Sequence, residues 1–191
     1  ATVYLAFVTT FSRSSALLLI TAFSSLAFFK RSLKLFLLGI ILFIGFFLVF
    51  NTYQKSVALP RNIDREHSAQ ARLDTWQQGF DLFQKSPILG VGFNSYRYAL
   101  DQYKLGSTEF LQNRGASTND SSLLYVLATT GILGLISYLG FLGLIFRQAI
   151  FSKKDWGFVL AATLAGLIPN SFFINSLFYP WIFLWIILLS T

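Results

Sequence analysis

An all-α polytopic membrane protein is what this sequence predicts, with about five transmembrane helices, a partial helix before them, and one large, partly helical loop. Three observations carry that reading. Apolar residues make up 54% of the 191-residue chain and mean hydropathy is +0.60, too greasy for an ordinary soluble domain of this size. Fifteen of the 23 charged residues fall between Lys55 and Asp120. Outside that island, long windows carry no charge at all: residues 35–54, 121–146 and 156–191. Several of these approach the ~20 apolar residues that cross a ~30 Å hydrocarbon core.

Three segments follow: residues 1–54 as N-terminal transmembrane helices, 55–120 as the loop, and 121–191 as C-terminal transmembrane helices. Residues 1–11 read as part of one helix. The apolar run is already under way at Ala1 and the chain contains no Met, so the sequence is expected to be a fragment lacking earlier helices. No basic segment precedes the run and no small-residue cleavage site follows it, so it does not read as a signal peptide. A helix is expected from Ser14 to Lys30 and a second from about Leu35 to Tyr53. A third follows the loop, from about Ser121 to Arg147. A fourth runs from Trp156 to about Pro169, and a fifth starts near Leu177. Pro169, Asn170, Asn175 and Pro180 mark a tight re-entry turn between the last two.

Orientation follows from the basic clusters. Lys30, Arg31 and Lys34, and then Arg147, Lys153 and Lys154, sit in short turns between apolar spans. The positive-inside rule assigns such turns to the cytoplasm. The loop is then extracytoplasmic, and Arg13, the loop and Asp120 are expected to converge on that outer face. The +7 net charge is topology signal rather than a phosphate-binding stripe, because the loop carries eight bases against seven acids. No nucleic acid partner is expected. Zero Cys excludes a disulfide framework and thiolate metal sites, and one His leaves little for zinc. No metal and no cofactor are expected.

Within the loop, residues 69–85 read as a helix whose apolar stripe is Leu73, Trp76, Phe80 and Phe83, at spacings of three and four. Ser86-Pro87 ends it, and Gly90-Val-Gly92 makes a turn with permissive backbone rather than a phosphate fingerprint, since no third Gly follows. Residues 94–103 suit a second short helix, with Tyr96, Tyr98 and Tyr103 at an interfacial level. Residues 106–117 read as an exposed link.

Four residues are candidates for chemistry. Arg13 stands alone among apolar residues, and an Arg at the rim of a span is a functional candidate by default; the alternative is that it snorkels and anchors a helix end. Arg72 lies beside the amphipathic stripe, one turn before Trp76. Most loop arginines are merely solvated. Asp120 precedes an apolar helix, which is the ordinary place for an N-cap, although a helix N-terminus also favours anions. His67, the only histidine, reads most simply as solvent-exposed.

Four motifs in order carry a resemblance: Ser12-Arg13 at the outer start of a span; Arg72-x-x-x-Trp76-x-x-Gly79; Ser86-Pro-Ile-Leu-Gly-Val-Gly-Phe93; and Leu124-Tyr-Val-Leu-Ala-Thr-Thr-Gly-Ile-Leu-Gly-Leu135. Together they resemble the C-terminal half of the O-antigen ligase and O-antigen polymerase superfamily. The resemblance implies a multi-pass glycosyltransferase of a bacterial-type inner membrane. It would transfer or polymerise a polyprenyl-diphosphate-linked glycan onto a hydroxyl of an acceptor glycan, lipid or protein, without metal or nucleotide sugar. It further implies that Arg13 and Arg72 hold the diphosphate, since a guanidinium stays charged and binds phosphate oxygens in a fork. The family's general base, a His about eleven residues before the Gly matching Gly131, is replaced here by Asp120. A carboxylate can also accept a hydroxyl proton, so Asp120 with Arg72 is expected to be catalytic. The alternative is a transporter or lipid-glycan binding membrane protein without catalysis.

Overall fold

The computed structural model describes residues 2–10, 12–56, 60–107, 111, 114–152 and 154–190, with the side chains of 54–56, 60–68, 114, 115 and 190 excepted. All regular structure among them is helical. The order is α1 (Thr2–Thr9), α2 (Arg13–Lys30), α3 (Leu33–Ser56), α4 (Pro60–Lys85), α5 (Tyr96–Gln102), a 3-10 turn (Arg114–Ser117), α6 (Ser122–Phe151), α7 (Asp155–Asn170), a 3-10 turn (Ser176–Phe178) and α8 (Pro180–Ser190). Two helices are long and apolar enough to cross a membrane, Leu33–Tyr53 in α3 and all of α6. Little of either is covered by protein, 17% of the most apolar stretch of the first and 11% of the second. That exposure separates them from the core helices of a soluble protein, whose apolar residues are buried. Helices α2, α7 and α8 stand where the sequence places further spans, with 18, 16 and 11 residues.

The chain packs as two compact units, Ala1–Glu66 with Ile145–Asn170 and Leu184–Thr191, and His67–Leu144 with Ser171–Phe183. In the first, α2 packs on both α3 and α7. Close approach depends on small residues, as between membrane helices generally. A Cβ at Gly39 would lie 2.6 Å from Phe23 Cβ, and one at Gly166 would lie 2.9 Å from the Leu18 carbonyl oxygen. Tyr4 donates its hydroxyl to the Leu42 carbonyl at 2.5 Å, while Val8, Ala16, Phe46 and Phe50 form a local core. Ser12 caps α2 by accepting from Ser15 N at 3.3 Å. Lys30 ends the helix, paired with Asp155 at 2.7 Å.

The second unit gathers the C-terminal part of α4, α5, α6 as far as Leu144, and the turn 171–179. Its core is Leu82, Tyr96, Ala99, Leu100, Tyr125 and Ala128. Here the sequence reading needs three corrections. Tyr96, expected at an interfacial level with Tyr98 and Tyr103, is buried in the core. The stripe on α4 is only partly covered: Leu73 and Phe80 are exposed, Trp76 and Phe83 half-buried, and the buried residues among those described on this helix are Gly79 and Leu82. Apolar character does not specify burial in protein where lipid is an alternative apolar solvent, so the packing face is set by where a backbone can approach closely. The supposed exposed link also carries a core residue, since Ala116 is fully buried; residues 108–110, 112 and 113 of that link lie outside the described set.

Helix α6 is broken at Gly131, whose φ of 66° and ψ of −168° are non-helical and essentially open to glycine alone. The turn after α4 fills the break. Ile132 N and Leu133 N donate to the Pro87 and Ile88 carbonyls at 2.9 and 3.4 Å, while Val91 N and Gly92 N donate to the Ala128 and Thr129 carbonyls at 2.9 and 2.8 Å. Both backbones must be bare for this contact. A Cβ on Gly90 would overlap the Thr129–Thr130 peptide, and one on Gly131 would overlap the Ile88 carbonyl. The Gly-x-Gly turn expected from sequence is therefore present, with φ of 70° and 104°.

Candidate functional site

The N-terminal approach to α6 is a run of four polar residues, Asn119-Asp120-Ser121-Ser122, the first two bonded to α4 and the last two to the turn after α7. Asn119 is fully buried. Its amide nitrogen donates to the Thr75 carbonyl and, at 2.9 Å, to the Tyr96 hydroxyl, while its carbonyl oxygen accepts from Ser121 N at 2.9 Å. Gly79 is what admits it, because a Cβ there would lie 2.6 Å from the Asn119 nitrogen. Burial pushes the Tyr96 hydroxyl up to about 12, assisted by the Asp120 charge and opposed by the Asn119 hydrogen bond. Tyr96 is thus a neutral hydroxyl at physiological pH.

Ser121 and Ser122 fasten the run to the turn after α7. Ser122 N and Ser121 Oγ donate to the Ser171 carbonyl at 2.9 and 3.2 Å. Ser122 Oγ donates to the Ile174 carbonyl at 3.3 Å and accepts from Leu177 N at 3.2 Å. Ser121 Oγ also accepts from Leu124 N at 3.3 Å, so Ser121 and not Asp120 caps α6. That frees Asp120 for another role. Its carboxylate Oδ2 lies 3.2 Å from the Thr75 hydroxyl, which also lies 2.9 Å from the Arg72 carbonyl.

Arg72 and Asp120 line one cleft of about 380 Å³. Both are partly exposed, and among the described residues the two form no ion pair with each other or with another side chain. The cleft's remaining walls are Thr118 and Asn119 on the same side and Phe173, Ile174, Asn175, Phe178 and Tyr179 from the turn 171–179. Trp76 packs against Phe173 with ring centroids 5.8 Å apart; among the described residues its indole nitrogen has no hydrogen-bond partner, and the same holds for Asn175 Oδ1. The site therefore offers a cation, a carboxylate and an aromatic wall around a space open to solvent. Its chemistry suits an anionic ligand on the guanidinium beside a hydroxyl-bearing one at the carboxylate.

The spaced motifs that meet here, Arg72 to Gly79 on α4 and Asp120 to Gly131 on α6, lie within residues 1–139, which match the family model for O-antigen ligase. The chain belongs to the O-antigen ligase family. No curated protein and no solved structure matches it. Membership supports a ligase- or polymerase-type role at a membrane, with a lipid-linked glycan and an acceptor as the general partners. In this O-antigen ligase family chain, Arg72 and Asp120 line the same cleft. Arg13 opens α2 in the first unit and is exposed. His67 lies on α4, with its side chain outside the described residues. Sequence reasoning missed Asn119, Thr75, Tyr96 and the wall 173–179. Gly79 was a usable signal for Asn119, since a helix glycine in an ordered motif points to a close approach. The wall was marked as a turn by Pro169, Asn170, Asn175 and Pro180, but nothing local tied it to the site, and it lies beyond the matched residues.

Proposed function

We propose that this chain is a membrane glycosyltransferase that uses a polyprenyl-diphosphate-linked glycan, with about five spans and a partial one before them in a bacterial-type inner membrane. The single observation that supports it is the shared cleft of Arg72 and Asp120, a guanidinium and a carboxylate left unpaired with each other. In the proposed reaction the acceptor hydroxyl oxygen forms a bond to the anomeric carbon of the donor. The bond from that carbon to the diphosphate oxygen breaks, and polyprenyl diphosphate leaves with the electron pair. Arg72 and Arg13 neutralise that leaving group, and Asp120 takes the hydroxyl proton, through side chains on the outer face of the membrane. Charge stabilisation is the dominant contribution, because the diphosphate departs well once its charge is met. No metal enters the scheme.

The test is glycan display by cells whose full-length protein carries Arg72→Ala. Loss of ligated or polymerised product is expected, and unchanged product rejects the diphosphate clamp. A second reading, glycan-lipid binding without transfer, is favoured by Asp120 standing where the family has His. Reconstituted protein with a purified lipid-linked donor separates them, because release of free polyprenyl diphosphate requires cleavage of the glycosidic bond.

A further inference from the structure

We infer that the turn 86–93, which the sequence places in the extracytoplasmic loop, is embedded in the hydrocarbon of the bilayer and pins the end of α4 at the membrane–water boundary. The argument starts from depth. Ile132 and Leu133 lie 15 and 14 residues along α6 from Arg147. At 1.5 Å per residue that is roughly 21–23 Å, still inside a ~30 Å core when Arg147 marks one boundary. Helix tilt only shortens the distance across the bilayer. The Pro87 and Ile88 carbonyls accept from these same two residues, so the turn lies at their depth. Ile88 and Leu89 are 61% and 71% exposed; the α6 residues bonded to the turn, Ile132 and Leu133, are exposed too, as is Ile136 one helical turn further along. Phe93 is exposed as well, and the neighbouring Gly92 is bonded at the level of Thr129, nearer the boundary. The apolar surface of the turn is thus continuous with that of a membrane-length helix.

Backbone chemistry agrees with that placement. Non-helical backbone is tolerated at membrane depth only where its polar groups are met by protein. Gly90 N donates to the Ser86 carbonyl at 2.9 Å, Val91 N and Gly92 N donate to α6, and the Pro87 and Ile88 carbonyls accept from it. The break at Gly131 supplies these partners without leaving its own amides bare. On either side of the turn the chain regains charge and aromatic hydroxyls, with Lys85 held 5.8 Å from the Tyr103 ring centroid and Tyr98 exposed, a composition suited to the membrane–water boundary. The occupant of the exposed surface is the acyl region of the bilayer.

The chain has no Cys, which makes single-thiol probes direct. Full-length protein carrying Leu89→Cys, and separately Phe93→Cys, would be labelled with an environment-sensitive fluorophore and reconstituted in phosphatidylglycerol–phosphatidylethanolamine vesicles. Ile136→Cys serves as the lipid-facing reference and Ala71→Cys, at an exposed position on the face of α4 opposite Leu73, as the water-facing one. The expected result is blue-shifted emission at residue 89, quenched by nitroxide-labelled lipids as at 136 and insensitive to iodide. Iodide quenching like that at 71 overturns the proposal by placing the turn in water. Resistance to both quenchers also overturns it, because protein rather than lipid would then cover the surface. Two probe sites guard against one variant failing to fold, and the readout does not depend on glycosyl transfer.

Discussion

Helices α3 and α6 are alike in the property hydropathy measures and opposite in what they do. Each is long and apolar enough to cross a membrane, and each leaves most of its surface uncovered. Helix α3 runs unbroken for 24 residues. Helix α6 is broken at Gly131, receives a foreign backbone into the break, and is preceded by a buried polar run bonded to α4, α5 and the turn 171–177. The lesson is that a span becomes part of a candidate site through its interruptions and its entry. An uninterrupted span pairs its interior amides within itself and offers only a spare carbonyl lone pair, as Leu42 does to Tyr4.

Substitutions can break this contrast, and the largest effect is expected at the interruption itself. Gly131→Ala places a Cβ on the Ile88 carbonyl at a φ of 66° and removes the geometry that docks the turn, costing about 4 kcal/mol from backbone strain plus lost hydrogen bonds. Thermal unfolding in detergent should show a strongly lowered midpoint, and a wild-type midpoint would mean that the break does not matter. Next is Asn119→Ala, which strands the Thr75 carbonyl, the Tyr96 hydroxyl and Ser121 N together. A loss of about 3 kcal/mol is expected from unmet buried groups. Asn119→Asp is a sharper variant, because it keeps the size but loses both donors; similar stability to wild type would remove the amide from the argument.

A smaller effect concerns pH. The Tyr96 hydroxyl, raised to about 12 from an ordinary 10.0, holds its proton more tightly in the folded state. Its contribution is complete below pH 10 and is lost as pH rises towards 12, for a change of about 2 kcal/mol. Unfolding midpoints measured from pH 9 to 12 should fall more steeply for wild type than for Tyr96→Phe; parallel curves would show that the phenol does not titrate within the fold. The smallest effect is the control on the same helix. Gly140 has nothing near its missing Cβ, so Gly140→Ala should leave stability unchanged or raise it by up to about 1 kcal/mol. A large loss there would erase the distinction between the break and the ordinary helix beyond it.

Much of the fold was legible from local signals. Charge-free windows located α3 and α6, Ser86-Pro87 marked the end of α4, and Gly90 and Gly92 announced a positive-φ turn. Arg72 and Asp120 were legible as an ordered pair of motifs, and they share a cleft. The buried face of α4 was not legible, because Leu73 and Phe80 are as apolar as a core stripe needs and still lie exposed. Nor was the cap of α6: Asp120 and Ser121 are both good N-cap residues, and they are distinguished only because Leu124 N bonds Ser121 Oγ while Asp120 turns to the Thr75 hydroxyl. Asn119 is one polar letter beside three others until Gly79 and Tyr96 surround it.

By itself, then, the sequence determined where chain can dissolve in lipid and where it cannot, since transfer free energy sums over local composition. Tertiary structure alone decided that a glycine turn would complete a broken helix and that Asn119 would tie α4 to α5. It also brought residues 173–179 to face Arg72. Those outcomes turn on hydrogen-bond partners far apart in the chain, and the cost of a buried polar group depends on whether that partner is present.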